Sequence, residues 1–166
     1  IDRTVDGPQI LIYHTHSQEG FADSVPGDPS TTIVGAGEYL AELLRNRGYK
    51  VMHVTSVYDL IDGELDRSEA YSRAEEEISQ ILAEHPSIQS VIDLHRDGVA
   101  EGTRLVTELN GKTMARFMFF NGLSRTRKTG DIDYLANENQ EANLAFSFQM
   151  QLKAAEYYPG LTRRIY

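Results

Sequence analysis

Two short apolar runs in this chain each end in a string of metal-ligand side chains, and no other feature limits the fold as much. Gln9-Ile-Leu-Ile-Tyr13 leads into YHTHSQE at residues 13–19, and Ile88 to Leu94 (IQSVIDL) leads into His95-Arg96-Asp97. A brief run with β-branched residues that stops at a polar cluster has the pattern of a buried parallel strand, which is covered on both faces and need not alternate. Parallel strands bring their carboxyl ends to one edge of a sheet, so the two strings are expected to meet. His14, His16, Glu19, His95 and Asp97 are all metal-ligand types. A zinc pocket at that edge is the expectation.

The residues between the two runs supply crossovers. From Ile33 the apolar period becomes 3.6, with Val34, Leu40, Leu43 and Leu44 on one helix face and Gly48 placed to stop it. Tyr49 to Val54 reads as a second strand. A polar loop with Asp62-Gly63 follows, then Asp66 as the N-cap of a charged helix whose apolar face is Ala70, Ala74, Ile78, Ile81 and Leu82, ended by Pro86. This βαβ alternation predicts right-handed crossovers and parallel strands. Residues 17–32, rich in Gly, Pro, Ser, Asp and Thr, read as a long loop, a feature that is often functional inside a compact domain. Thr103 to Leu109, the turn dipeptide Asn110-Gly111 and Ala115 to Phe120 suggest a hairpin or an added strand. Glu138 to Tyr157 reads as a final amphipathic helix with Leu144, Phe148, Leu152 and Ala155 on one stripe, ending before Pro159-Gly160. The expected fold class is α/β, a mostly parallel twisted sheet flanked by helices on both faces, as a single domain over residues 1–166.

A length of 166 residues suits one domain with a core of its own. No apolar stretch approaches the ~20 residues of a membrane helix, so no membrane segment is expected within this chain. A formal charge of −9 argues against nucleic acid as a partner. The one basic run, Arg125-Thr-Arg127-Lys128, reads as a solvated loop or, less simply, as a contact for an anionic polymer. Cysteine is absent, so any zinc must be held by histidine and carboxylate. The chain begins with Ile1 rather than Met, which reads as a segment excised from a longer precursor.

Each candidate also has an ordinary reading. A histidine at a strand end is more often a hydrogen-bonded side chain than a ligand; a second such site, with Glu19 in the adjoining loop, puts the ligand reading level with the ordinary one. His14 and His16 share a side if the chain stays extended and separate if it turns, so both need not be ligands. His53, inside a strand with no acidic neighbour in sequence, and His85, between Glu84 and Pro86 at a helix end, read as structural. Asp93 and Asp97 flank His95, and either is placed to orient a ligand imidazole from outside, with Asp97 equally suited to cap a loop. Arg96 is suited to clamp a substrate carboxylate or to form a structural ion pair.

The segments ILIYHTHSQEGF, GEYLAELLRNRGYKV, SVIDLHRD, ARFMFFNG and EANLAFSFQMQLKAAEYYPGLTR, in that order, together resemble the stage II sporulation protein P family. Leu123 to Asn137 falls outside the match. The resemblance implies a zinc-dependent N-acetylmuramoyl-L-alanine amidase with a cell-wall amidase-like fold. It implies His16 and His95 as zinc ligands, with Glu19 as the carboxylate ligand because Pro29-Ser-Thr-Thr32 holds no glutamate. It also implies a catalytic glutamate on a strand beyond Tyr166, leaving Glu19 as the catalytic candidate within the chain and His14, Asp93, Arg96 and Asp97 as supporting or substrate-contacting residues. The implied partners are peptidoglycan and the lytic transglycosylase stage II sporulation protein D, in forespore engulfment. The implied location is extracytoplasmic, in a membrane-anchored parent. Another zinc hydrolase (deacetylase or peptidase) and a non-catalytic wall-binding module are the alternatives.

Overall fold

The computed structural model describes residues 1–123, 125–126, 130–131 and 137–164. The chain divides into two compact units, Ile1–Gly98 and Val99–Tyr166. The first runs β1 (Ile10–Tyr13), a 3-10 turn (Pro29–Thr31), α1 (Ile33–Arg45), β2 (Val51–His53), β3 (Leu60–Ile61), β4 (Glu64–Leu65), α2 (Ala70–Glu84) and β5 (Ser90–Asp93). β1 lies between β2 and β5, parallel to both, with Leu11 opposite Met52 on one side and Val91 on the other. This small parallel sheet with its helices makes the fold α/β, as the alternation of runs predicts.

β1 is the apolar centre because a middle strand has neighbours on both edges. Ile10, Leu11 and Ile12 are buried, each worth roughly 1.5–3 kcal/mol of transfer free energy. Ile10 and Ile12 pack with Ala41 of α1, ringed by Leu40, Leu44, Tyr49, Val51, Ile92 and Leu94. Tyr13, one position out of phase, packs instead against Tyr58, Ala70 and Ala74.

Local chemistry sets the helix ends. The Thr32 hydroxyl caps α1 by accepting from the Val34 N–H, and Gly48, at φ 84°, turns the chain out after it. α2 begins later than the sequence suggests, because Asp66 does not cap it. Its carboxylate takes the N–H and hydroxyl of Ser68, at 3.0 and 2.6 Å, and pairs with Arg73 at 2.8 Å. That local turn uses up the acceptor a helix cap would need. Asp62-Gly63, expected in a plain loop, closes the β3–β4 hairpin with both residues at positive φ. Strands of two residues are too short to leave a periodic trace.

The second unit contains β6 (Val106–Leu109), β7 (Lys112–Ala115), β8 (Arg125–Thr126), β9 (Gly130–Asp131) and α3 (Gln140–Tyr157). Asn110-Gly111 makes the expected turn, at φ 53° and 73°, but the return strand is Lys112–Ala115 rather than residues 115–120. A two-residue turn fixes the register, so pairing starts at once. Phe117 makes only an isolated parallel bridge to Thr162. The stripe expected on α3 is also corrected. Leu144, Ser147, Gln151 and Ala154 are its less exposed positions, while Phe148 and Leu152 are exposed. Polar contacts account for this: Ser147 donates to Asn121 at 2.9 Å, and Gln151 donates to the Thr162 hydroxyl and the Arg163 carbonyl. The side chains of the basic run at 125–128 lie outside the described residues.

Gly35 sits where the 3-10 turn abuts α1, and a Cβ there would lie 1.8 Å from the Ser30 carbonyl oxygen. Backbone cannot give way as a side-chain tip can. Urea unfolding of Gly35→Ala is expected to show a loss of about 1–3 kcal/mol, against about 0.5 or less for Gly122→Ala, whose Cβ meets nothing within 4 Å.

Candidate functional site

The register Tyr13↔Asp93 brings the carboxyl ends of β1 and β5 level, so His14-Thr15-His16 and Leu94-His95 leave the sheet side by side. Leu94 extends the ladder by one bond, its N–H reaching the Tyr13 carbonyl at 2.9 Å. Asp93 then ties the two exits together. One of its oxygens accepts the Thr15 N–H at 3.0 Å, and the other accepts the Thr15 hydroxyl at 2.6 Å and lies 2.7 Å from His95 Nε2. The His16 and His95 rings face each other edge-on, with centroids 5.2 Å apart, and Tyr71 of α2 stands edge-on to His16 at the same distance.

Glu19 reaches this cluster from the long loop and is only 5% exposed. Its backbone carbonyl takes the Ile33 N–H at 3.0 Å, which fastens the loop to the start of α1. Its carboxylate accepts from the Arg96 N–H at 2.6 Å and from the Arg67 guanidinium, and lies 3.7 Å from His95 Nδ1. Buried Asp59 accepts from the Ser17 hydroxyl and the Gln18 N–H, and stands 3.9 Å from His16 Nδ1. That Nδ1 is buried and has no hydrogen-bond partner.

Charge is distributed unevenly over the cluster. Burial pushes Glu19 up, but hydrogen bonds from His95, the Arg96 N–H and Arg67 outweigh it and hold the carboxyl at about 2. Burial pushes His95 down, but Asp93 and Glu19 outweigh it and bring the imidazole up to about 9. Asp93 is likewise raised by burial and, on balance, lowered by His95 and Thr15. His16 is held below its ordinary value by burial and by the positive charges of Arg67 and His95. A neutral imidazole with a free nitrogen thus lies beside an ionised carboxylate.

The structure brings His16, Glu19, Asp93 and His95 together. His14 is fully buried and turned away: its Nδ1 is 2.9 Å from the Leu94 carbonyl and its Nε2 is 2.8 Å from His53 Nε2. His53, which has no acidic neighbour in sequence, gains one from α1, with Glu38 2.7 Å from its Nδ1. Arg96 donates through Nε to the Gly20 carbonyl at 2.9 Å and through Nη1 to the Asp97 carbonyl at 3.1 Å, so its guanidinium staples backbone. Asp97 is exposed. Sequence reasoning gives Thr15, inside the YHTHSQE string, no role, and misses Asp59, Arg67 and Tyr71. No motif marks those three, because they belong to polar loops and the first turn of a helix.

Among the described residues, no three His, Cys, Asp or Glu side chains stand as a metal-holding group. His16, Glu19 and His95 are the residues suited to the task. The unpartnered nitrogen of His16 can accept a cation, and Asp93 engages His95 Nε2 while its Nδ1 faces Glu19. Nitrogen and carboxylate donors without thiolate are a zinc-type set.

A parallel α/β unit with a histidine–carboxylate cluster at its strand carboxyl ends is the class that fold and site define. The family model for stage II sporulation protein P (SpoIIP) matches residues 2–166, and the chain belongs to that family, whose members serve sporulation. It is similar to stage II sporulation protein P of Bacillus subtilis (strain 168), at 22% identity over 173 residues, 98% of this chain and 40% of that protein. The chain therefore spans about two fifths of the length of the curated relative it matches. No solved structure matches the chain.

The two shifted groups define a pH window for the metal-free protein. Glu19, lowered from 4.5 to about 2, contributes stability that is present above about 4.5 and lost as pH falls toward 2. His95, raised from 6.5 to about 9, contributes stability that is present below about 6.5 and lost as pH rises through 9. Urea midpoints measured in chelator should peak between about pH 5 and 6.5. Glu19→Gln should flatten the acid limb and cost on the order of 3 kcal/mol at neutral pH; an unchanged acid limb contradicts the assignment.

Proposed function

We propose that this domain is a zinc-dependent peptidoglycan hydrolase that cleaves the amide between N-acetylmuramic acid and L-alanine in sporulation. The observation that carries the reading is His16, whose buried Nδ1 has no hydrogen-bond partner and whose ring stands 5.2 Å from that of His95, in a member of the SpoIIP family. His16, Glu19 and His95 would hold the ion. Bound there, zinc would polarise the scissile carbonyl and acidify a water.

The chain's own side chains have separate tasks. Asp93 receives the His95 Nε2–H and keeps that ring from turning, the outer carboxylate support that ligand imidazoles commonly need. Tyr71 covers one side of His16. Arg67 offsets the Glu19 charge at the half-exposed mouth. Glu19 itself, held at about 2, is too weak a base to take a proton at neutral pH and serves as a ligand. The same reading takes the fold as the twisted, doubly covered sheet of cell-wall amidases, supported by α1 against Ile10 and Ile12 and by α2 residues against Tyr13. An extracytoplasmic place, a membrane-anchored parent and cooperation with stage II sporulation protein D complete it, and family membership supports these.

A second reading, a non-catalytic wall-binding module, is favoured by one observation: no ready-made metal group stands among the described residues. Metal analysis and product analysis separate the two. After dialysis, the protein should retain about one equivalent of zinc, and His16→Ala and His95→Ala should each lose most of it. Mass spectrometry of peptidoglycan treated with the full-length parent protein should find free stem peptides beginning with L-alanine. Muropeptides with their stems still attached, from zinc-free protein that co-sediments with sacculi, contradict the enzyme reading.

A further inference from the structure

Behind the cluster lies a line of polar contacts to which the proposed reaction assigns no part. His14 is fully buried, and the side chain of His53 is 2% exposed. Their Nε2 atoms are 2.8 Å apart, His14 Nδ1 is 2.9 Å from the Leu94 carbonyl, and His53 Nδ1 is 2.7 Å from Glu38. The other Glu38 oxygen is paired with Arg45 at 2.8 Å. The line starts at the exit of β5 and ends at the surface of α1.

Hydrogen-bond bookkeeping gives the line a direction. A carbonyl only accepts, so His14 Nδ1–H must donate to Leu94. With its Nδ1 donating, His14 Nε2 is left to accept from His53 Nε2 at 2.8 Å, and Glu38 closes the far end of the line 2.7 Å from His53 Nδ1. Both ring nitrogens of each of these two histidines then face a partner.

Space is reserved for this pair. A Cβ on Gly37 of α1 would lie 2.5 Å from His14 Nε2 and 2.8 Å from His53 Nε2, so the rings meet only because residue 37 has no side chain. On the same face of β1, Ile10 and Ile12 fill the space against α1 with hydrocarbon. Two imidazoles are a costly filler there, since each buried polar atom must find a partner. What hydrocarbon cannot do is fix a carbonyl's direction. The Leu94 carbonyl belongs to the same peptide plane as the His95 N–H.

We infer that His53, backed by Glu38, is a positioning residue for His95: it holds His14, which pins the Leu94–His95 peptide at the strand exit. The inference rests on the reading of His95 as a metal ligand. Removing His53 leaves His14 Nε2 buried and unpartnered, free to turn and release the Leu94 carbonyl. A glutamine at 53 reaches as far as the imidazole Nε2 and keeps a donor to His14; asparagine falls short.

Zinc affinity by chelator competition, well below the melting temperature of every variant, tests this. His53→Leu is expected to bind zinc about 10–100-fold more weakly than the unaltered protein, and His53→Gln within a few-fold of it. Leu44→Ala, which loosens the same α1 packing without touching the pair, should leave affinity unchanged. If His53→Leu does not fold, His53→Asn against His53→Gln carries the comparison, with weak binding only in Asn expected. Full affinity in His53→Leu, or equal affinity in Asn and Gln, overturns the inference while the metal reading stands. If the unaltered protein binds no zinc, that reading fails separately. The His95 amide resonance of the metal-free protein then decides: a shift in His53→Leu but not in Leu44→Ala supports positioning, and no shift overturns it.

Discussion

The carboxylate of Asp93 is the contact on which the site depends. It ends β5, receives both the N–H and the hydroxyl of Thr15 just beyond β1, and engages His95 Nε2. One side chain thus joins the two strand exits and sets the ring that matters most. Its burial costs free energy, but three hydrogen bonds outweigh the cost, as its lowered pKa reflects. Without that anchor, two short loops of polar residues would have nothing to hold them in register at the sheet edge.

Around this anchor each buried carboxylate is tied to donors. Glu19 is held by the Arg96 N–H and the Arg67 guanidinium, while Arg96 staples the carbonyls of Gly20 and Asp97. The long loop is therefore bound at its carboxylate and at its junction with α1, and is not a free lid. The one buried imidazole nitrogen left over, Nδ1 of His16, stands out because its surroundings are so fully satisfied. An orphan in a loosely bonded region would mean little; in this one it supports the proposed cation site.

Much of the first unit was legible in the sequence because its signals are collective. The runs at 9–13 and 88–94 and the period of 3.6 from Ile33 mark β1, β5 and α1 at nearly the right residues. Signals failed where one side chain chose between local partners. Asp66 bonded Ser68 rather than a helix end, and Asn110-Gly111 fixed a register in which the return strand starts at Lys112 and ends at Ala115. On α3, Ser147 and Gln151 found hydrogen-bond partners, so the polar side packs and the aromatic side does not. At the site, His16, Glu19, Asp93 and His95 were legible because two strings meet at a predictable edge. Arg67, Asp59 and the pairing of His53 with Glu38 were not, since only tertiary approach brings them in.

The central claim is that His16, Glu19 and His95 form one zinc site. X-ray absorption at the zinc edge of the loaded protein tests it most directly. The account predicts a four-coordinate shell of nitrogen and oxygen at about 2.0–2.2 Å with the outer-shell scattering of two imidazoles. A six-coordinate shell of oxygen alone, without imidazole scattering, would contradict it.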